Sequence, residues 1–241
     1  MVRTGRTIVG ALVLLLGACA GADKADKADK AGKADKADTL EDGSALSASS
    51  ALSAQSTPVH SVVFLGTSLT AGLGLDPDNA FPAVVQRKID SAGLKYTVVN
   101  AGVSGESSAG AVRRIDWILR QRPAVLIIET GANDGLRGQD PDSLQANIQR
   151  VIDQVRRHSP TTRIILAGME ALPNLGAEYT RHFRRIYPAL AAANHIQLIP
   201  FLLDGVAGVD SLNQQDGIHP NEAGARVVAD NVWRVLRADL K

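Results

Sequence analysis

Five short apolar runs, separated by stretches of helical periodicity, constrain this chain more than any other feature. They are "SVVFL" (Ser61 to Leu65), "YTVVN" (Tyr96 to Asn100), "AVLIIE" (Ala124 to Glu129), "RIILAG" (Arg163 to Gly168) and "IQLIPF" (Ile196 to Phe201). Each is nearly continuous and rich in β-branched residues, as expected of parallel strands covered on both faces. Parallel neighbours need long crossovers, and the sequence between the runs supplies helices for them. Leu144, Ile148, Val151, Ile152 and Val155 recur on one helical face, and Val228, Val232, Val235 and Leu236 repeat the pattern near the C-terminus. Pro82, Pro141 and Pro220 stand near the starts of helical segments, where a missing N–H is harmless. The expected fold is a three-layer α/β/α sandwich around a five-stranded parallel sheet with right-handed crossovers. Ligands of such sheets bind beyond the carboxyl ends of the strands, so functional residues should follow strands directly.

This texture begins at about Pro58. Before it, Arg3 and Arg6 precede the apolar run "IVGALVLLL" (Ile8 to Leu16), too short to span a bilayer and read as an export signal. The tetrapeptide "LGAC" that follows resembles the lipobox of bacterial lipoproteins, which implies cleavage after residue 18 and lipidation of Cys19. Cys19 is the only cysteine, so an intramolecular disulfide is excluded. Residues 19–57 contain the charge-balanced repeat "ADKADKADKAGKADKAD" and a Ser/Ala-rich stretch, neither able to build a core, and are read as a tether. Residues 58–241 are the expected folded domain of an exported, membrane-anchored protein, and Ala20 after the cysteine is similar to lipoproteins sorted to an outer membrane. With 26 basic and 25 acidic side chains, the chain carries no electrostatic footprint for nucleic acid.

Ser68, in "FLGTSLTAG", follows the first strand at the mouth of a Gly-rich turn, a place where a nucleophile would be exposed. The stretch lacks the lysine of a phosphate-binding P-loop. A serine nucleophile needs a base within reach and a group to orient that base. "DGIHPNEAG" (Asp216 to Gly224) offers both: His219 to take the Ser68 proton and Asp216 to hold the other ring nitrogen. After the second and third strands come "NAGVSGESS" (Asn100 to Ser108) and "TGANDG" (Thr130 to Gly135). The backbone N–H groups of Ser68 and Gly102 and the side-chain amide of Asn133 could converge on an oxyanion if those strands are neighbours. Taken singly, Gly102 reads as a tight turn and Asn133 as an Asx turn. Ser104 is the rival nucleophile, but "GVSGE" is not a G-x-S-x-G elbow.

In order and spacing, Ser68, Gly102, Asn133 and His219 resemble the four blocks of the SGNH (GDSL) hydrolases, most closely the bacterial thioesterase I and arylesterase subgroup. "GLRG" (Gly135 to Gly138), "GMEALPNLG" (Gly168 to Gly176) and "LIPFLLDGVAG" (Leu198 to Gly208) extend the similarity over nearly all of Val59 to Lys241. The resemblance implies a flavodoxin-like sheet and a serine esterase acting on small acyl esters or thioesters through an acyl-enzyme, without metal or cofactor. It assigns Ser68 as nucleophile, Asp216 and His219 as its acid and base, and Ser68, Gly102 and Asn133 as oxyanion donors. A carbohydrate O-acetylesterase is the alternative enzyme, and a catalytically silent binding module the alternative outside enzymes. The sequence departs from the family at Thr67, where Asp is usual, and at Leu175, where the subgroup often has an aromatic. Because the triad acid is Asp216, Thr67 removes no member of the proton pathway. It is expected to order the turn through a neutral hydroxyl hydrogen bond.

Overall fold

The computed structural model describes residues 60–241; Cys19, the export signal and the tether lie outside the described residues. Five parallel strands, β1 (His60–Gly66), β2 (Tyr96–Gly102), β3 (Val125–Glu129), β4 (Arg163–Ala167) and β5 (Gln197–Ile199), form one sheet in the order β2-β1-β3-β4-β5. Side chains of β1 and β3 are buried almost without interruption, as their apolar runs require of strands covered on both faces. Each fully buried Leu, Ile or Val here contributes roughly 1.5–3 kcal/mol over an exposed one.

The helices are α1 (Ser68–Ala71), α2 (Phe81–Ser91), α3 (Ser108–Leu119), α4 (Ala132–Leu136), α5 (Pro141–His158), α6 (Ala177–Asn194) and α7 (Glu222–Leu236). Strand order reverses direction after β2, and right-handed crossovers on the two sides of that reversal put their helices on opposite faces. Accordingly α2 packs with α7, whereas α3 packs with α5 and α5 with α6. The apolar stripe of α5 is fully buried from Leu144 to Val155, and in α7 Val228, Val232 and Leu236 are buried while Val235 is half-exposed.

Local chemistry sets the element ends. Asp140 caps α5 by accepting from the N–H groups of Asp142 and Ser143, with Pro141 at the first helical position. Pro220 precedes α7 rather than entering it: Asn221 is the cap, accepting from the N–H groups of Ala223 and Gly224. The fifth strand is three residues long, shorter than its apolar run, because Pro200 follows Ile199 and has no N–H for the ladder. At the reversal, β1 lies between β2 and β3, so the loops leaving these three strands come together at the carboxyl ends of the strands.

Candidate active site

The turn after β1 is built for close approach. A Cβ on Gly66 would fall 1.9 Å from the Thr70 hydroxyl oxygen, so only glycine lets α1 fold back immediately. Thr67 is extended, Ser68 opens α1, and Gly72 in the left-handed region (φ 74°) ends it. As the first residue of a helix, Ser68 has an N–H without an intrahelical acceptor.

Beneath this turn lies Glu129, the last residue of β3 and only 1% exposed. Its carboxylate accepts from the Thr67 N–H (2.6 Å), the Thr67 hydroxyl (2.9 Å) and the Thr70 hydroxyl (2.8 Å). Burial pushes the Glu129 carboxyl above its ordinary range, against the downward pull of those donors. Thr67 thus keeps its hydroxyl bond as expected, and the acceptor is the buried carboxyl group of Glu129. Sequence reasoning missed Glu129; the available signal was an acid closing an otherwise apolar strand, "AVLIIE".

The second wall comes from the turn before α7. The Asp216 Oδ1 atom accepts from the backbone N–H groups of Ile218 and His219, both at 3.0 Å, with Gly217 at φ 72° closing the turn. Its Oδ2 atom lies 2.6 Å from His219 Nδ1, and His219 Nε2 lies 2.9 Å from Ser68 Oγ. Facing a carboxylate, Nδ1 carries the proton, which leaves the Nε2 lone pair to accept from the serine. Although the Asp216 side chain is 45% exposed, its pKa is held down at about 2, chiefly by the His219 backbone N–H, with the ring and the Ile218 N–H adding to it. Gln214 fixes the turn against α1 by donating from its amide to the carbonyl of Leu73.

The donor set needs one correction. Gly102 does not reach the site: its N–H donates to Asn100 Oδ1 (2.9 Å), and it is absent from the wall that Ser68 and Asn133 share. Its role is steric, since a Cβ there would lie 2.2 Å from the backbone nitrogen of Ala71. We expect Gly102→Ala to cost about 1 to 3 kcal/mol by overpacking, read as a lower urea midpoint. A midpoint equal to that of the wild type would refute the close approach. Gly105, three residues on and at φ 77°, lines the wall instead. The chain needs those extra residues to leave β2 and return towards Ser68, a distance that motif spacing did not reveal. Asn133 also lines the wall, and one N–H of its amide donates to the Glu106 carbonyl (3.1 Å), leaving the other for a ligand.

These groups open onto a cavity of about 700 Å³. Its walls are mainly apolar, with Leu69, Leu136, Met169, Leu172 and Leu203 among them, and Ser68, Asn133 and His219 are among its polar lining residues. Ser104 is on the wall too, but the histidine nitrogen is committed to Ser68. Leu175 lies in the loop after β4, facing Gly138. Among the described residues, no cluster of three His, Cys, Asp or Glu side chains is arranged to hold a metal ion. Chemically, the arrangement can move a proton from a serine to an imidazole beside an apolar cleft.

Residues 64–227 match the GDSL-like Lipase/Acylhydrolase family. Esterase TesA of Pseudomonas aeruginosa is 38% identical over 184 residues, covering 76% of this chain and 90% of that protein. An Escherichia coli (strain K12) protein named thioesterase 1/protease 1/lysophospholipase L1 is 32% identical over 178 residues, covering 73% of this chain and 83% of its own. A crystal structure of TesA superposes with a TM-score of 0.72 at 38% identity, 75% of this chain matching 100% of that one.

Proposed function

The chain belongs to the GDSL-like lipase/acylhydrolase family, and we propose that within it this protein is a tethered serine esterase whose acyl-enzyme forms on Ser68. It is a carboxylic ester hydrolase, and the names of its relatives support small acyl esters and thioesters as substrates. The observation that carries the assignment of residues is the unbroken line from Ser68 Oγ through His219 to Asp216, opening on an apolar cavity.

In the proposed reaction Ser68 Oγ bonds to the acyl carbon as its proton passes to His219 Nε2, and Asp216 stabilises the imidazolium. The carbonyl electron pair moves onto oxygen, held by the N–H groups of Ser68 and Gly105 and the free amide N–H of Asn133. Nε2 then gives its proton to the departing alcohol or thiol. Water, deprotonated by the same nitrogen, attacks the ester of Ser68 and regenerates the enzyme. Acyl chains would lie along the leucine-lined wall. A sugar O-acetyl substrate fits less well, because the cavity offers a single aromatic carbon ring, Phe201, for stacking.

We further propose that the domain from residue 58 onward is exported and anchored through lipidated Cys19; "LGAC" and the charge-balanced tether support this reading.

The test is to label the purified protein with a fluorophosphonate and map the adduct, alongside initial rates on 4-nitrophenyl esters of rising acyl length, acyl-thioesters and acetylated sugars. The expected result is one label on Ser68 and faster turnover of aryl esters and thioesters than of sugar acetates. Absence of label together with absence of turnover would sink the proposal and favour a silent binding module.

A further inference from the structure

From α3, Arg114 reaches two parts of the site at once. Its Nε atom donates to both oxygens of Glu106 at 2.8 Å, and its Nη2 lies 2.7 Å from Glu106 Oε2. The same Nη2 donates to the carbonyl of Gly66 at 3.0 Å. Both side chains are largely shielded, 18% exposed for Arg114 and 11% for Glu106, so solvent screens the pair far less than it would a surface bridge.

Each contact point adjoins a proposed oxyanion donor. Gly66 lies two residues before Ser68, Glu106 directly follows Gly105, and the Glu106 carbonyl holds the Asn133 amide. The Gly66 carbonyl also accepts from the Val103 N–H at 2.9 Å, which joins the ends of β1 and the β2 loop a second time. Room for this arrangement is made by Gly110, where a Cβ would come within 2.4 Å of Glu106 Cγ. Neither Arg114 nor Glu106 lines the cavity.

We infer that Arg114 and Glu106 form a strut that fixes the spacing of the Ser68, Gly105 and Asn133 donors, making both positioning residues for the oxyanion. The planar guanidinium suits the task because it engages a carboxylate by two prongs and still has a donor for the Gly66 carbonyl. A lysine, as a point charge, would keep the charge attraction and lose the fixed geometry. The donors act on charge that develops only in the transition state, so their misplacement should appear in kcat rather than in KM.

This inference rests on the serine-esterase reading, and the experiment separates the two. Wild type, Arg114→Met, Arg114→Lys and Glu106→Gln are titrated with a fluorophosphonate to count competent sites. Their kcat and KM on 4-nitrophenyl butanoate, and inhibition by an alkyl trifluoromethyl ketone, are then measured per titrated site. In that inhibitor adduct Ser68 Oγ bonds to the carbonyl carbon, the carbonyl pair moves onto oxygen and the serine proton passes to His219, so the adduct carries the oxyanion itself. We expect Arg114→Met to lower kcat about 10- to 100-fold per site, with KM within about two-fold and the ketone inhibition constant raised by the same factor as kcat falls. Arg114→Lys and Glu106→Gln should retain part of the lost rate. Should Arg114→Met not fold, the other two variants carry the test through the same ratio of kcat to ketone affinity. Variants with wild-type kcat per site, or a rate loss matched by KM with ketone affinity unchanged, overturn the strut. A wild type without label or turnover overturns the esterase reading instead, and the strut with it.

Discussion

Asp216→Asn is expected to lower kcat about 10⁴-fold while leaving the melting temperature nearly unchanged. An asparagine can keep its oxygen on the backbone N–H groups of Ile218 and His219, which Asp216 Oδ1 now satisfies, so the turn survives. Its NH₂ would then stand where Oδ2 faces His219 Nδ1. A donor in that place reverses the tautomer: Nδ1 becomes an acceptor, the proton moves to Nε2, and the nitrogen beside Ser68 Oγ can no longer take the serine proton. Steady-state rates on an aryl ester, with thermal unfolding as control, check this; a loss below ten-fold would show that the ring is oriented by other means. The wild-type pH profile carries a second signature. Folding lowers the Asp216 pKa to about 2, so the stability that this carboxylate lends is complete above the ordinary carboxylate value and lost as pH falls through about 2. Loss of activity on mild acidification therefore reflects a group other than Asp216.

Glu129→Leu should cost about 3 to 5 kcal/mol of unfolding free energy, because three donors would lose one shared acceptor in a site closed to water. The Thr67 N–H and the hydroxyls of Thr67 and Thr70 all point at Glu129, and both threonines are buried. Urea unfolding measures the change, and a loss under 1 kcal/mol would mean that the donors find other partners. The pH dependence has a definite sign. Burial raises the folded-state pKa of Glu129, so its favourable contribution is fully present below the ordinary glutamate value and declines as pH rises through the raised one. The stability gap between wild type and Glu129→Leu should therefore narrow as pH rises. Thr67→Asp works in the opposite sense by adding a second carboxyl against Glu129. The pair would have to share a proton, and stability should fall more steeply with rising pH than in the wild type. Unchanged turnover and stability in Thr67→Asp would remove the structural role given to Thr67.

These two sites divide what the sequence could and could not disclose. Strand count, the buried stripe of α5 and the Asp216 and His219 pair were legible because each depends on a local pattern: continuous apolar runs, 3.6-residue spacing, and acid and base three residues apart. The partnership of Ser68 with His219, 151 residues on, was legible only through the four-block resemblance. The choice between Gly102 and Gly105 was not legible, because Gly102 ends β2, Gly105 lies three residues on, and only the path of the loop decides which of them shares the cavity wall with Ser68. Glu129 was hidden for a related reason. Its partners lie 59 and 62 residues away, and a single sequence carries no sign of such distant pairing. The short fifth strand and the position of Pro220 show a smaller limit, in that proline marks a boundary without saying on which side of it the element lies.

The His219 to Ser68 hydrogen bond spans 151 residues of chain, and this has a consequence for the order in which activity can arise. The proposed nucleophile and donors all belong to β1, β2, β3 and the loops that leave them, whereas the proposed base arrives with the segment before α7, which docks on α2 beside the first strands. Contacts this remote in sequence carry the largest loop-closure cost and form late. A chain that has assembled its sheet but not seated its last helix holds an unreactive serine. Ester turnover therefore reports the completion of folding rather than its onset, and a newly made chain would stay silent until its C-terminus is in place.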